Sequence, residues 1–217
     1  LNDVVQEELD KAIEQLRAIG GEVTGYRFDV TNAEEVEQCV ADAEANFGPI
    51  DILVTNAGIH RRAPLVEMTP ENFRKVIDVN LTSAFIVGQA VAKRMIARNK
   101  GKIINIASLN ALMARPNIAN YSSAKGGLLM LTKSMATEWG KYNINTNAIG
   151  PGYFKTELTR ILVEDPAFDA WVKSEVPLAR WGEPEELIGT AIFLAAPASD
   201  YVNGYTIYVD GGWQACL

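Results

Sequence analysis

Residues 102–125 read KIINIASLNALMARPNIANYSSAK. The first six, Lys102 to Ala107, form a short apolar run after Gly101, the pattern of a buried strand. Ser108 closes that run, and 13 positions later comes Tyr121, with Lys125 four residues beyond it. Tyr121 to Tyr142 reads as a helix, so Tyr121 and Lys125 share one face of it. Strand, loop and helix in this order make the repeating unit of a parallel α/β sheet.

The same alternation extends in both directions. Toward the N-terminus, Thr69-Pro70-Glu71 supplies an N-cap, a first-turn proline and an early carboxylate for a helical region reaching about Arg98. Ile50 to Thr55 (IDILVT) is apolar enough for a buried strand. Thr31, with Glu34 three residues on, suggests a capping box for a helix to Phe47, ended by Gly48-Pro49. Glu22 to Phe28 is a strand candidate. Val4 to Ile19 reads as a helix with Leu9, Ile13 and Leu16 on one face and Gly20-Gly21 as its stop. Toward the C-terminus, Ile144 to Ile149 is a strand followed by the turn Gly150-Pro151-Gly152. Phe154 to Val176 has no strong period, Pro184 opens a helix through Ala195, and Thr206 to Val209 is a last strand before Asp210-Gly211-Gly212. The expected architecture is one Rossmann-type domain over residues 1–217, a doubly wound parallel sheet in an α/β/α sandwich.

Such a fold normally opens with a strand, a glycine-rich turn and a helix that receives a pyrophosphate. This sequence begins Leu1-Asn2-Asp3, like the tail of a strand, and carries no G-x-x-x-G-x-G. The expectation is a domain incomplete at its N-terminus, entered at the end of the second strand. A non-catalytic chain unable to hold a cofactor is the competing reading.

Composition narrows the function classes. The 217 residues are 48% hydrophobic and 22% charged, the profile of an ordinary globular protein. A net charge of −7 argues against a nucleic-acid partner or an anionic membrane surface. It leaves room for an anionic small substrate held by a few local cations. Cys39 and Cys216 read as reduced thiols of a cytoplasmic protein, and the lone histidine, His60, argues against a metal site.

The chemistry lies in the polar residues at strand ends. A free tyrosine has a pKa of about 10, and an ammonium a few ångströms away favours its phenolate. Such a pair can take a proton from an alcohol while hydride leaves the same carbon. Taken alone, Tyr121/Lys125 reads more readily as a surface pair. The surrounding residues change that. Ser108, Asn56-Ala57-Gly58 and Pro151-Gly152 each follow a candidate strand at the sheet edge where α/β ligands bind. Asn80, inside an apolar helical stretch, needs partners if buried.

These features, with VDGG at Val209–Gly212, resemble the short-chain dehydrogenase/reductase family in order and spacing over the whole chain. The resemblance implies Tyr121 as general acid/base, Lys125 lowering its pKa and binding the nicotinamide ribose, Ser108 orienting the substrate oxygen, and Asn80 holding a water in a proton relay to Lys125. It further implies that Asp29 and Val30 contact adenine, that Asn56, Ala57, Gly58, Pro151 and Gly152 line the cofactor cleft, and that Thr156 bonds the carboxamide. Asp3, at the end of the second strand of the family pattern, favours NAD through the adenosine ribose, with NADP left open and a helix-capping role as its alternative. The family also suggests a homotetramer built through residues 70–98 and 121–142 and the C-terminal strand region.

The stretches GIHRR at 58–62 and PGYFKTELTRILVEDPAFDAWV at 151–172 are similar to the sugar-acid branch of the family. That similarity implies D-gluconate/5-keto-D-gluconate as the substrate pair, with oxidation of 2-deoxy-D-gluconate at position 3 as the alternative. Arg62, ahead of Arg61, is the candidate carboxylate clamp, alongside Ser108 and Tyr121 at the substrate. His60 reads as a loop residue. Phe154, Trp171 and Trp181 are either walls of the substrate loop or plain core.

Overall fold

The computed structural model describes residues 1–216. Local signals start and stop most helices as their chemistry requires. α1 (Gln6–Ala18) buries Leu9, and the chain leaves it through Gly20 at φ +87°. α3 (Pro70–Ile77) starts where Thr69 Oγ1 accepts the Asn72 N–H at 3.2 Å. It passes through a wider π-helical turn at Asp78–Thr82 into α4 (Ser83–Arg98). α2 (Ala33–Phe47) departs from expectation. Its N-cap is Asn32, which accepts from Glu34 N and Glu35 N at 3.1 and 3.3 Å. Thr31 cannot serve, because its hydroxyl and N–H both turn back onto the Asp29 carboxylate at 2.7 and 2.8 Å.

Four strands form one parallel sheet in the order β3 (Ile52–Thr55), β4 (Gly101–Ile106), β5 (Ile144–Pro151), β6 (Thr206–Val209). A separate parallel pair joins β1 (Asn2–Asp3) to β2 (Tyr26–Arg27). The strand expected over Glu22 to Phe28 is therefore two residues long. IDILVT is also less buried than its composition suggests. Among the described residues β3 has a strand neighbour on one side alone, and Ile52 and Val54 are 45% and 50% exposed.

Successive side chains on β4 point to opposite faces. Ile103 packs with Val36 and Val40 of α2 and Val91 and Met95 of α4. Ile104 packs on the other face with Leu194 of α8 (Ile188–Ala195). Helices thus cover both faces. α5 (Ala119–Trp139) lies against β5 on the α4 side, with Thr132 bonded to Asn105 of β4. The segment without a clear period contains two short helices, α6 (Arg160–Val163) and α7 (Pro166–Glu175). Pro184 opens a 3-10 turn, Pro184–Leu187, ahead of α8. Among the described residues no helix is long and apolar enough to cross a membrane. Because β3 to β6 run parallel, their C-terminal ends share one edge, and that edge carries Asn56, Ser108, Gly152 and Asp210.

Candidate active site

Ser108 leaves β4 with an extended backbone, and its Oγ accepts the Asn110 N–H at 3.1 Å, capping the short turn Leu109–Ala111. Tyr121 lies in the first turn of α5, and Asn120 fixes that turn. The fully buried Asn120 amide accepts the Tyr121 N–H at 2.8 Å and donates to the Arg61 carbonyl at 2.9 Å. One side chain therefore ties the tyrosine to the loop bearing Arg61 and Arg62. Lys125 is 4% exposed, donates to the Ile106 carbonyl at 2.6 Å, and holds its ammonium 5.8 Å from the Tyr121 ring centre.

The electrostatics differ from the sequence expectation of a lysine-depressed phenol. Burial pushes the Tyr121 phenol above its ordinary value, with the Ser108 hydroxyl as the opposing influence. Burial also pulls Lys125 down to about 8. Taking either charge out of water costs more than the structure returns. At neutral pH this leaves Tyr121 protonated and Lys125 mostly charged.

His60, read from sequence as a loop residue, stacks on Tyr121 with ring centres 3.9 Å apart and an interplanar angle of 25°. Burial, then the charges of Arg62 and Lys125, hold its pKa at about 4. The imidazole is neutral at pH 7, and its Nδ1 is buried without a hydrogen-bond partner among the described residues.

Behind this wall runs a line of hydrogen bonds. Thr55 Oγ1 donates to Asn105 Oδ1 at 2.7 Å, Asn105 Nδ2 donates to Thr132 Oγ1 at 2.9 Å, and Thr132 Oγ1 donates to the Leu128 carbonyl at 2.8 Å. It connects β3, β4 and α5 through the core. Asn80, 2% exposed in the π-helical turn, accepts the Ile59 N–H at 2.8 Å and donates to the Ile59 carbonyl at 3.0 Å. Its amide thereby sets the path of the loop that delivers His60.

In front of Tyr121 is a cavity of about 220 Å³ that brings together Ser108, Tyr121, Arg62 and Gly152. Arg115, Tyr153 and Phe168 are among the walls that sequence reasoning missed. Arg115 follows Ser108 by seven residues and precedes Pro116, the one local hint it offered. Phe154 and Trp181 are core, 7% and 2% exposed. A smaller hollow of about 80 Å³ lies beside Phe154 and Arg180, but that guanidinium is already paired with Glu186, and neither Tyr121 nor Ser108 lines it.

Residues 1–214 match the family described as Enoyl-(Acyl carrier protein) reductase. The chain is 48% identical to the 2-dehydro-3-deoxy-D-gluconate 5-dehydrogenase of Formosa agariphila, covering 98% of this chain and 81% of that one. It is 46% identical to the 5-keto-D-gluconate 5-reductase of Escherichia coli, covering 98% and 84%. The crystal structure of a gluconate 5-dehydrogenase from Burkholderia cenocepacia, in complex with NADP and tartrate, superposes with a TM-score of 0.96 at 46% identity, covering 100% and 85%. The chain belongs to the short-chain dehydrogenase/reductase family.

As an oxidoreductase of this family it needs a place for a nicotinamide dinucleotide, and the chain's own residues can be tested for one. Asn56, Ala57 and Gly58 are exposed at the C-terminal end of β3. A Cβ on Gly58 would meet nothing closer than Asn80 Oδ1 at 3.7 Å, so a cradle one methyl deep lies open over this backbone. That fits a ligand lying against it. Gly152 is different. A Cβ there would strike the Asp210 Cα at 2.7 Å, so strand packing already demands this glycine. Pro151 is the last residue of β5.

The remaining cofactor candidates lie outside the cavity. Asp3 Oδ1 accepts the Val5 N–H at 2.8 Å in the turn ahead of α1, whose N-cap, Val5, receives no side-chain capping bond, so Asp3 does not cap that helix. The Asp29 carboxylate is held below its ordinary range by its bonds from Thr31, and Val30 packs against the core under α2. Thr156 is exposed and caps the turn Glu157–Thr159, its hydroxyl 3.1 Å from Thr159 Oγ1.

Proposed function

We propose that this chain interconverts a secondary hydroxyl and a ketone on a six-carbon sugar acid, with D-gluconate and 5-keto-D-gluconate as the pair. The observation that carries this reading is the cavity itself. Tyr121 and Ser108 line it together with two guanidinium groups, Arg62 and Arg115, and among the described residues no aspartate or glutamate lines it. A proton donor and an anion site in one cavity suit a hydroxy acid. The names of the Formosa and Escherichia relatives point to the same substrate class.

In the reducing direction Tyr121 gives its proton to the carbonyl oxygen, and Ser108 holds that oxygen by a hydrogen bond. In the oxidising direction Tyr121 takes the hydroxyl proton. A nicotinamide held in the cleft would supply or take up the hydride. Lys125 remains charged near neutrality, steadies the developing phenolate and reaches the nicotinamide ribose. Asn80 serves a water relay to Lys125 through its main chain, because its amide is spent on Ile59. Asn56, Ala57, Gly58, Pro151 and Gly152 line the cofactor cleft, with Asp29 and Val30 at the adenine and Thr156 at the carboxamide. Asp3 favours NAD by repelling a 2′-phosphate. The NADP bound in the Burkholderia relative makes the comparison of the two cofactors part of the test. A cytoplasmic homotetramer completes the proposal. Phe85 of α4 and Met130 of α5, 45% and 61% exposed, are apolar residues that subunit contact would cover.

A second reading rests on the Formosa relative, whose name places the oxidation on 2-dehydro-3-deoxy-D-gluconate. The test is turnover of D-gluconate, 2-deoxy-D-gluconate and 2-dehydro-3-deoxy-D-gluconate with NAD and NADP, with product identification. A 5-keto product from D-gluconate supports the proposal. Preference for either deoxy acid moves the substrate. Inactivity on all three, with NADH fluorescence still perturbed on binding, removes the sugar-acid reading.

A further inference from the structure

Arg115 sits on the loop between the Leu109–Ala111 turn and α5, just ahead of Pro116. Three aromatic rings surround its guanidinium. The central carbon lies 4.6 Å from the Phe168 ring centre, 4.9 Å from that of Trp171 and 5.4 Å from that of Tyr153. Its side chain donates to the Tyr153 hydroxyl, the one hydrogen bond it makes among the described residues.

The contrast with the other half-buried arginines, Arg94 and Arg98, is informative. Arg94 and Arg98 meet Glu44, Arg160 meets Glu157, and Arg180 meets Glu186. Arg115 has no carboxylate within ion-pair distance among the described residues, although the chain carries more Asp and Glu, 27, than Lys and Arg, 20. Its one partner is a neutral phenol. A guanidinium offers five N–H donors in a planar fork, and aromatic packing holds that plane in place. A half-buried cation with spare donors and no counter-ion is matched to an anion delivered from outside.

We propose that Arg115 is the principal anchor for the substrate carboxylate, with the exposed Arg62 as a second cation at the cavity mouth. This rests on the sugar-acid reading of the cavity and assigns the recognition of the acid group within it. Held against Phe168 and Trp171, Arg115 loses less conformational freedom on binding than Arg62 does. It therefore contributes more to discrimination between an acid and a neutral polyol.

The test compares the parent enzyme with Arg115→Met and Arg115→Lys. The readouts are kcat and KM for D-gluconate and for neutral D-glucitol, and D-gluconate binding followed by tryptophan fluorescence. Arg115→Met keeps an unbranched stem against Phe168. It is expected to raise KM for D-gluconate about 30-fold, to leave kcat within about threefold, and to spare D-glucitol. Arg115→Lys keeps the charge and loses the fork, with an expected rise of about fivefold to tenfold, and it decides the matter if the methionine variant does not fold. KM for D-gluconate within twofold of the parent in the folded variants, or an equal loss for both substrates, overturns the assignment of Arg115. A parent that turns over D-glucitol as well as it does D-gluconate instead overturns the sugar-acid reading beneath it.

Discussion

The two walls of the cavity are built differently. The wall carrying Ser108, Tyr121 and Lys125 stands on β4 and a 21-residue helix, and these three side chains are 6%, 9% and 4% exposed. Several of its supporting polar groups are paired to backbone or to each other, as the lines from Thr55 to Thr132 and from Asn120 to Arg61 show. The facing wall, with Arg62, Arg115, Leu158, Leu162 and Phe168, rests on loops and on helices as short as four residues. Aromatic and cation–π contacts join these short elements to one another, in addition to local backbone bonds such as that from Ala63 N–H to the Asn117 carbonyl at 3.1 Å. Reaction geometry tolerates little displacement, so it belongs on rigid elements. Substrate choice can be retuned on loops without disturbing them.

That contrast can be broken from either side. The largest effect is expected for Tyr121→Phe, which removes the proton donor and should lower kcat by roughly 10³-fold or more with the fold intact. Turnover within tenfold of the parent would strip Tyr121 of its role. Next is Asn105→Ala, which leaves Thr55 and Thr132 without their shared partner in the core. A loss of about 2–3 kcal/mol in chemical denaturation is expected. An unchanged denaturation midpoint would mean that the catalytic wall does not depend on this line of bonds.

His60 lies between the walls and gives the comparison a pH dependence. Its folded pKa of about 4 is below the ordinary 6.5, so the unfolded chain binds more protons between those values. The stability tied to the neutral ring is fully present above pH 6.5 and is lost as pH falls toward 4. With the shift discounted for the solvent the ring still meets, the loss amounts to about 1–2 kcal/mol. His60→Phe keeps the stack on Tyr121 and should flatten this part of the stability profile. A parent whose thermal midpoint is equal at pH 7 and pH 4.5 would refute the account. The smallest effect is expected for Arg62→Ala, exposed on the facing wall. It should raise KM for D-gluconate about fivefold, with kcat and stability nearly unchanged. A larger effect than that of Arg115→Met would reverse the order of the two cations.

Part of this site was legible before any tertiary structure. Tyr121 and Lys125 share a helix face because the helix repeat puts them there, and Ser108 ends a strand because the apolar run ends there. Asn80 needed a partner as a buried amide, and the structure supplies Ile59. Thr31 and Asn32 are both good caps, and the choice between them turns on the Asp29 carboxylate beside Thr31. The apolar run of IDILVT marks a strand, but how far it is buried depends on how many strands flank it.

The sequence by itself determined the alternation of strands and helices, the edge where polar residues gather and the spacing of the tyrosine and lysine. These follow from repeats of two and 3.6 residues and from backbone bonding a few residues away. The tertiary structure alone decided that His60 stacks on Tyr121, that Arg115 and Arg62 line one cavity, and that burial rather than charge sets the proton affinities of Tyr121 and Lys125. Those outcomes depend on distance through space and on how much water remains beside each group. Residues 53 positions apart, as Arg62 and Arg115 are, meet only when the sheet has brought its strand ends to one edge.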